Sequence, residues 1–191
     1  MPGGKLSLPE SERLVLREWR EKDWPFFAAM NANPQVMRFF PGVMPEKDSL
    51  SMWNRMREEL DERGYGLYAV ELKHSGSLIG LLGFHWADFE ADFTPCVEIG
   101  WRLVPEAWGY GYATEGARAC LQHGFARFGF DRVYSFTACV NFPSQAVMQR
   151  VGMRKIAEFN HPKVAPDSIL YPHVLLSLIH ISEPTRRRGI S

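Results

Sequence analysis

Hydrophobic and polar positions change their period several times along the chain, and each change marks an element. "RLVLREW" (13–19) alternates and predicts a first strand. Asp23, followed by Trp24 and Pro25, predicts a helix start, because aspartate caps free N–H groups and proline suits a first turn. "NANP" (31–34) ends that helix, and "VMRFFPGVMP" (36–45), with its prolines and glycine among apolar residues, predicts a loop. Leu50, Trp53, Met56 and Leu60 recur at helical spacing and predict an amphipathic helix that stops at Gly64. "YGLYAVEL" (65–72) and "SLIGLLGFHW" (77–86) flank "KHSG" and predict a hairpin. "CVEIGWRLV" (96–104) puts Val97, Ile99, Trp101 and Leu103 on one face and Glu98, Gly100 and Arg102 on the other, with Pro105 as its stop.

A second helix-period stripe, Ala117, Cys120, Leu121, Phe125 and Phe128, predicts a helix beginning near Thr114. "RVYSFTACV" (132–140) predicts a strand. Asn141 and Pro143 open a short helix with Val147, Met148 and Val151 inward, and Gly152 closes it as a left-handed cap. "MRKIAEF" (153–159) and "YPHVLLSLI" (171–179) supply the last strands. The predicted order is β-α-α-β-β-β-α-β-α-β-β, one mixed α/β domain over residues 9–176 with no repeat or interior linker. "SEPTRRRGIS" (182–191) is polar and basic, and from about Ser177 onward the segment resembles translated adaptor or vector read-through. Residues 177–191 are therefore expected to be a non-native or disordered tail, with a native basic arm as the other reading.

Composition narrows the function classes. The 191 residues suffice for one domain with a real core. Twenty-two basic residues balance twenty-two acidic ones, so no long-range field gathers nucleic acid. No apolar run reaches membrane-spanning length and the first residues lack a leader pattern, so a cytoplasmic protein with no membrane partner is expected. Cys96, Cys120 and Cys139 form no CxxC pair and sit among apolar neighbours, as inert buried thiols do; the histidines show no metal-ligand spacing, so no metal is expected.

Chemistry concentrates in "EAWGYGYATEGAR" (106–118), where Gly109 and Gly111 precede a helix. A phosphate-binding Walker loop needs a Gly-Lys-Ser/Thr ending, which is absent. The dinucleotide fingerprint needs a third glycine or alanine where Thr114 stands, and an acid after the next strand where Asp131 comes before it. Glycines at these positions admit positive φ, successive N–H groups form a concave nest, and the helix dipole adds to it; the loop suits a pyrophosphate.

With "ERLVLREW", "NPQVMRFF", "VEIGWRLVPEAWGYGYATEGARACLQHGF" and "NFPSQAVMQRVGMRK", the chain from about Arg13 to His173 resembles the GNAT N-acetyltransferase superfamily, in its ribosomal-protein N-terminal acetyltransferase branch. The resemblance implies a central sheet that splays after its fourth strand, with acetyl-CoA as co-substrate. It places the diphosphate on Trp108, Gly109, Tyr110, Gly111, Tyr112, Ala113 and Thr114. The pantetheine arm falls on the backbone of Trp101 and Leu103, and Asn141 on the cofactor arm or on a helix cap. The implied reaction is direct transfer to a small-molecule or peptide amine, with a homodimer as the prior for assembly.

Glu98, mid-strand on the less apolar face, is the candidate base; a salt bridge to Arg102 on the same face is the bland reading. Where many members carry a tyrosine acid this chain has Met148, and Ser144 matches the serine that the ribosomal branch uses instead. Phe39 and Phe40, with His161 and His173, are candidate acceptor-side residues, although core packing is the safer reading of the two phenylalanines and a lone histidine is more often structural. Two readings of other classes stay open: a non-catalytic acyl-CoA sensor, motivated by Met148, and a plain nucleotide-binding protein.

Overall fold

The computed structural model describes residues 5–180. Its strands are β1 (Leu14–Arg17), β2 (Leu67–Leu72), β3 (Leu78–Ala87), β4 (Cys96–Leu103), β5 (Arg132–Ala138), β6 (Arg154–Asn160) and β7 (Pro172–Ile179). Its helices are α1 (Trp24–Asn31), α2 (Glu46–Arg63), α3 (Tyr112–His123) and α4 (Phe142–Arg150). The chain order is the one the hydrophobic pattern predicts. All seven strands form one sheet in the order β1-β2-β3-β4-β5-β7-β6. Every neighbouring pair is antiparallel except β4–β5, which is parallel.

Alternation along the strands sends side chains to two cores. On one face Leu14, Leu16, Leu82, Phe84, Ile99 and Val133 pack with Ala117, Cys120 and Leu121 of α3. On the other, Ala69 and Leu81 meet Phe27 and Met30 of α1 and Trp53 and Met56 of α2, in a cluster where Trp19 and Trp53 cross edge-on at 5.6 Å. Gly64 ends α2 at φ 75°, the left-handed conformation that glycine adopts at least cost.

Four expectations change. Asp23 does not cap α1 with its side chain. Its carboxylate accepts from Arg17 Nη1 at 2.7 Å and Nη2 at 3.1 Å and from the Arg20 N–H at 2.8 Å, because the buried Arg17 guanidinium is the stronger claimant. Leu50 points to solvent, and Ser49 takes the buried place on α2 to bond Asn31. Helix α3 begins at Tyr112, ahead of Thr114, because Gly111 at φ 79° already serves as its N-cap. Residues 177–179 of the expected tail belong to β7, as the 171–179 pattern has it: Ser177, Leu178 and Ile179 pair with Tyr134, Val133 and Arg132, since β5 offers ladder partners that far. The rest of the expected tail, from residue 181, lies outside the described residues.

The sheet opens in its middle. Strands β3 and β4 pair along eight positions, from Gly80↔Leu103 to Ala87↔Cys96. Strands β4 and β5 pair at a single position, Glu98↔Tyr134. One residue on, the Ser135 hydroxyl donates to the Ile99 carbonyl at 2.8 Å, and beyond that the strands diverge. A wedge-shaped gap follows, bounded by the C-terminal halves of β4 and β5.

Candidate functional site

The glycine loop sits at the mouth of this gap. Gly109 and Gly111 hold φ of 83° and 79°, and a Cβ on Gly109 would meet nothing within 4 Å. Among the described residues and outside the helix ladder, the first protein-bound N–H after Trp108 is that of Glu115, which donates to Gly111 O. The N–H groups of residues 109–114 are thus left for a ligand, at the positive end of α3. Arg13, just before β1, braces the loop. Its Nη2 donates to Tyr110 O at 3.0 Å, its Nε to Glu115 at 2.7 Å, and its guanidinium lies over the Tyr112 ring at 4.6 Å. Tyr110 and Tyr112 stack at 5.5 Å. Such a rigid, cationic-ended cradle fits a diphosphate.

Strand β4 supplies the edge. The Val104 N–H donates to Ile79 O, so the even-numbered residues of β4 address β3. Trp101 and Leu103 therefore turn their N–H and C=O toward the gap. One correction applies to the expectation for Leu103: its carbonyl is already taken by Trp108 Nε1 at 2.9 Å, which leaves the Leu103 N–H and both backbone groups of Trp101. Trp108 thereby latches the loop to the strand instead of standing free beside a ligand.

Across the gap, α4 presents its N-terminus. Asn141 is its cap, accepting from the Ser144 N–H at 3.3 Å and donating from Nδ2 to Thr137 Oγ1 at 2.9 Å. Both ends of this side chain are thus engaged while it lines the gap. The Ser144 hydroxyl, half-buried, has no hydrogen-bond partner among the described residues and also faces the cavity. Met148 is buried beneath it.

Loop, gap and α4 border one cavity of about 900 Å³. On its far side, the face of β4 that bears Glu98, Gly100 and Arg102 meets α1, α2 and the 36–45 loop. Glu98 lies opposite His85 of β3, and burial pushes its carboxyl up to about 7. His85 Nδ1 donates to the Glu59 carboxylate of α2 at 2.9 Å, and that carboxylate raises its pKa. Glu59 also accepts the Trp86 N–H at 2.6 Å. The expected Glu98–Arg102 salt bridge does not form. The two stand four positions apart on an extended strand, and Arg102 instead donates from Nη1 to Asn31 Oδ1 at 2.6 Å. Sequence reasoning missed His85, Glu59 and Asn31, because only the β3–β4 register and the packing of α1 and α2 bring them to Glu98 and Arg102.

The remaining predicted positions also reach this cavity. Phe39 packs partly against the small core of Ala138, Val164 and Leu170, whereas Phe40 is 41% exposed and belongs to no core. His161 and His173 lie 4.9 Å apart among Phe136 and Phe159. Burial draws both pKa values down, His161 to about 4, so both are neutral near pH 7. The thiols of Cys96 and Cys120 are buried and held protonated by that burial, Cys96 at about 12; Cys139 is half-buried and shifted the same way.

A family model described as the acetyltransferase (GNAT) domain matches residues 13–154. The chain belongs to the GNAT acetyltransferase family. YnaD of Bacillus subtilis, named as an N-acetyltransferase and itself uncharacterised, is 32% identical over 146 residues, spanning 76% of this chain and 81% of YnaD. A GNAT-family acetyltransferase structure from Bacillus anthracis aligns with a TM-score of 0.74 at 26% identity, covering 91% of this chain and 98% of that one. The ribosomal-protein alpha-N-acetyltransferase RimL, solved with coenzyme A, aligns with a TM-score of 0.72 over 90% of this chain and 97% of its own; at 19% identity it shares the fold. The GNAT fold thus accounts for the mixed seven-stranded sheet. Among the described residues no helix is long and apolar enough to cross a membrane.

Proposed function

We propose that this GNAT protein transfers the acetyl group of acetyl-CoA to an amine by direct attack in a ternary complex. One observation carries the reading: unbonded N–H groups of residues 109–114 stand beside a strand edge left open at Trp101 and Leu103. A diphosphate binds the first through backbone donors and dipole. An amide-bearing pantetheine arm binds the second as an added strand would. Asn141, capping α4, holds the Thr137 and Ser144 segments against that arm.

The transfer needs a neutral amine, and Glu98 provides for it. With its pKa near 7, the carboxylate is available at neutral pH and still basic enough to accept a proton. An α-amine, at about 7.7–8.0, needs this help less than a lysine amine at about 10.4. The amine nitrogen attacks the thioester carbon, a C–N bond forms and the C–S bond breaks. The nitrogen's proton passes to Glu98, and the departing sulfur takes one from the Ser144 hydroxyl, which solvent restores. A free thiol ionises near 8.5, so this second transfer needs only modest assistance. Phe39 and Phe40 with His161 and His173 line the remaining wall where an acceptor enters. The likeness to the ribosomal-protein branch in "NFPSQAVMQRVGMRK" supports Ser144 in the acid's role.

The test is release of free CoA from acetyl-CoA across a panel of primary amines. Turnover that falls in both E98Q and S144A supports the assignments, and unchanged turnover in the double variant removes both. Tight CoA binding with no turnover on any amine favours the sensor, for which Met148 is the supporting observation.

A further inference from the structure

We propose that Arg102 binds a carboxylate on the acceptor, so that the substrate is an amine that also carries a carboxylate. This rests on the transfer reading above and specifies its acceptor.

Among the described residues the sheet carries two inward-facing arginines, Arg17 and Arg102, with different surroundings. Arg17 is matched by Asp23 on two bonds and by Glu71 at 2.9 Å. Arg102 has no acidic partner among the described residues: its hydrogen bonds leave from Nη1 alone, to Asn31 Oδ1 and weakly, at 3.8 Å, to the sulfurs of Met44 and Met52. None of these neutralises a charge. Its Nε is buried without any partner. Asn31, wholly buried, is itself fixed by Ser49 at 3.1 Å, so the guanidinium is held in place rather than left to seek solvent. The Phe40 ring lies over it at 4.6 Å and shields it further. Burial draws its pKa down to about 10, yet it stays charged at neutral pH. A desolvated cation without a counter-ion is costly, and the cost is recovered when an anion arrives.

That anion comes from the acceptor. Arg102 shares its strand face with Glu98 and lines the same cavity, on the side of β4 away from α3 and the pyrophosphate cradle. The diphosphate is served elsewhere. A single guanidinium balances one negative charge in a planar fork, which matches a carboxylate better than a phosphate dianion. Glu98 and Arg102 stand four residues apart on β4, about 13 Å between Cα positions at ~3.3 Å per residue. The amine and the carboxylate therefore belong at opposite ends of an extended acceptor.

The experiment measures acetyl transfer to ω-amino acids of graded length, each paired with its ω-amino amide, alongside short peptides with free and amidated C-termini. The expected result is at least a tenfold higher kcat/KM for the acid of each pair, expressed in KM. R102Q should bring that ratio to about one. N31D, which supplies an internal carboxylate to the same nitrogen, should lower it too and does not depend on R102Q folding. Free acids favoured over peptides identify a small-molecule acceptor; the reverse identifies a peptide C-terminus and still supports carboxylate recognition. A wild-type ratio near one, or a ratio that survives R102Q, overturns the proposal while leaving acetyl transfer standing. If no amine is acetylated, the transfer reading fails. Calorimetric titration of the CoA-loaded protein with the same pairs then reads carboxylate binding directly, and equal affinity for acid and amide overturns it.

Discussion

Glu98 combines two properties that pull in opposite directions. Its pKa, raised from the ordinary 4.5 to about 7, lets the side chain act as a base near neutral pH and makes its charged form a burden on the fold. Between those two pH values the folded protein binds more protons than the unfolded chain, so this residue's contribution to stability declines as pH rises through the window. E98Q should therefore melt at a higher temperature than wild type at pH 8 and lose that advantage at pH 4, read by calorimetric Tm. The same substitution should remove an ascending limb near pH 7 from the kcat/KM profile and lower the plateau by about 10²–10⁴-fold. Asp23 has the opposite sign. Arg17 and the Arg20 N–H hold its pKa below the ordinary 3.8, so its contribution is complete above that value and is lost as pH falls through the lowered one. D23N should cost about 3 kcal/mol in denaturant melts at pH 7, because it leaves a buried guanidinium with Glu71 as its one acidic partner and the Glu18 carbonyl as a neutral one.

Residue-level chemistry was only partly readable in the chain. Glu98 could be singled out because a carboxylate stands out on a strand whose other face is apolar. Its neighbours could not. His85 and Glu59 reach it through the β3–β4 register and the docking of α2, neither of which leaves a mark in local spacing. Arg102 was legible as a cation on the correct face, but the want of a counter-ion is a property of everything packed around it.

At the scale of elements, the glycine loop and α3 show why local sequence can specify a site. Positive φ at positions 109 and 111 is required by the turn itself, so glycine there is both the signal and the mechanism. Alanine at Gly109 or Gly111 meets no backbone, yet the left-handed conformation costs an L-residue roughly 1–2 kcal/mol. G109A and G111A should each weaken CoA binding about tenfold by calorimetry, with a much smaller effect on acceptor KM. Where two claimants compete for one group, local sequence misleads. Asp23 before Trp24-Pro25 carries every mark of a cap, and Arg17 takes its carboxylate; Leu50 fits the helical stripe, and Ser49 holds the buried place because Asn31 needs a partner.

For the whole molecule, the decisive feature is a sheet that is continuous everywhere except along the second half of β4. Element order was legible from periodicity, and it fixes which strands can neighbour one another. The gap was not legible in this way. It depends on β4 and β5 keeping a single registered pair before Ser135 closes off the Ile99 carbonyl, a tertiary outcome that only family resemblance anticipated. The glycine loop, the open edge of β4, Glu98, Ser144 and the unmatched Arg102 border a single cavity, the arrangement that the proposed two-substrate transfer requires.

The most direct test is a titration of coenzyme A followed by amide NMR, with assignments for the loop and β4. The largest shifts are expected on the N–H groups of Gly109 to Thr114 and on those of Trp101 and Leu103, while the N–H groups that β4 directs to β3 stay nearly fixed. Saturation with the loop and the β4 edge unmoved would contradict the proposed cofactor site.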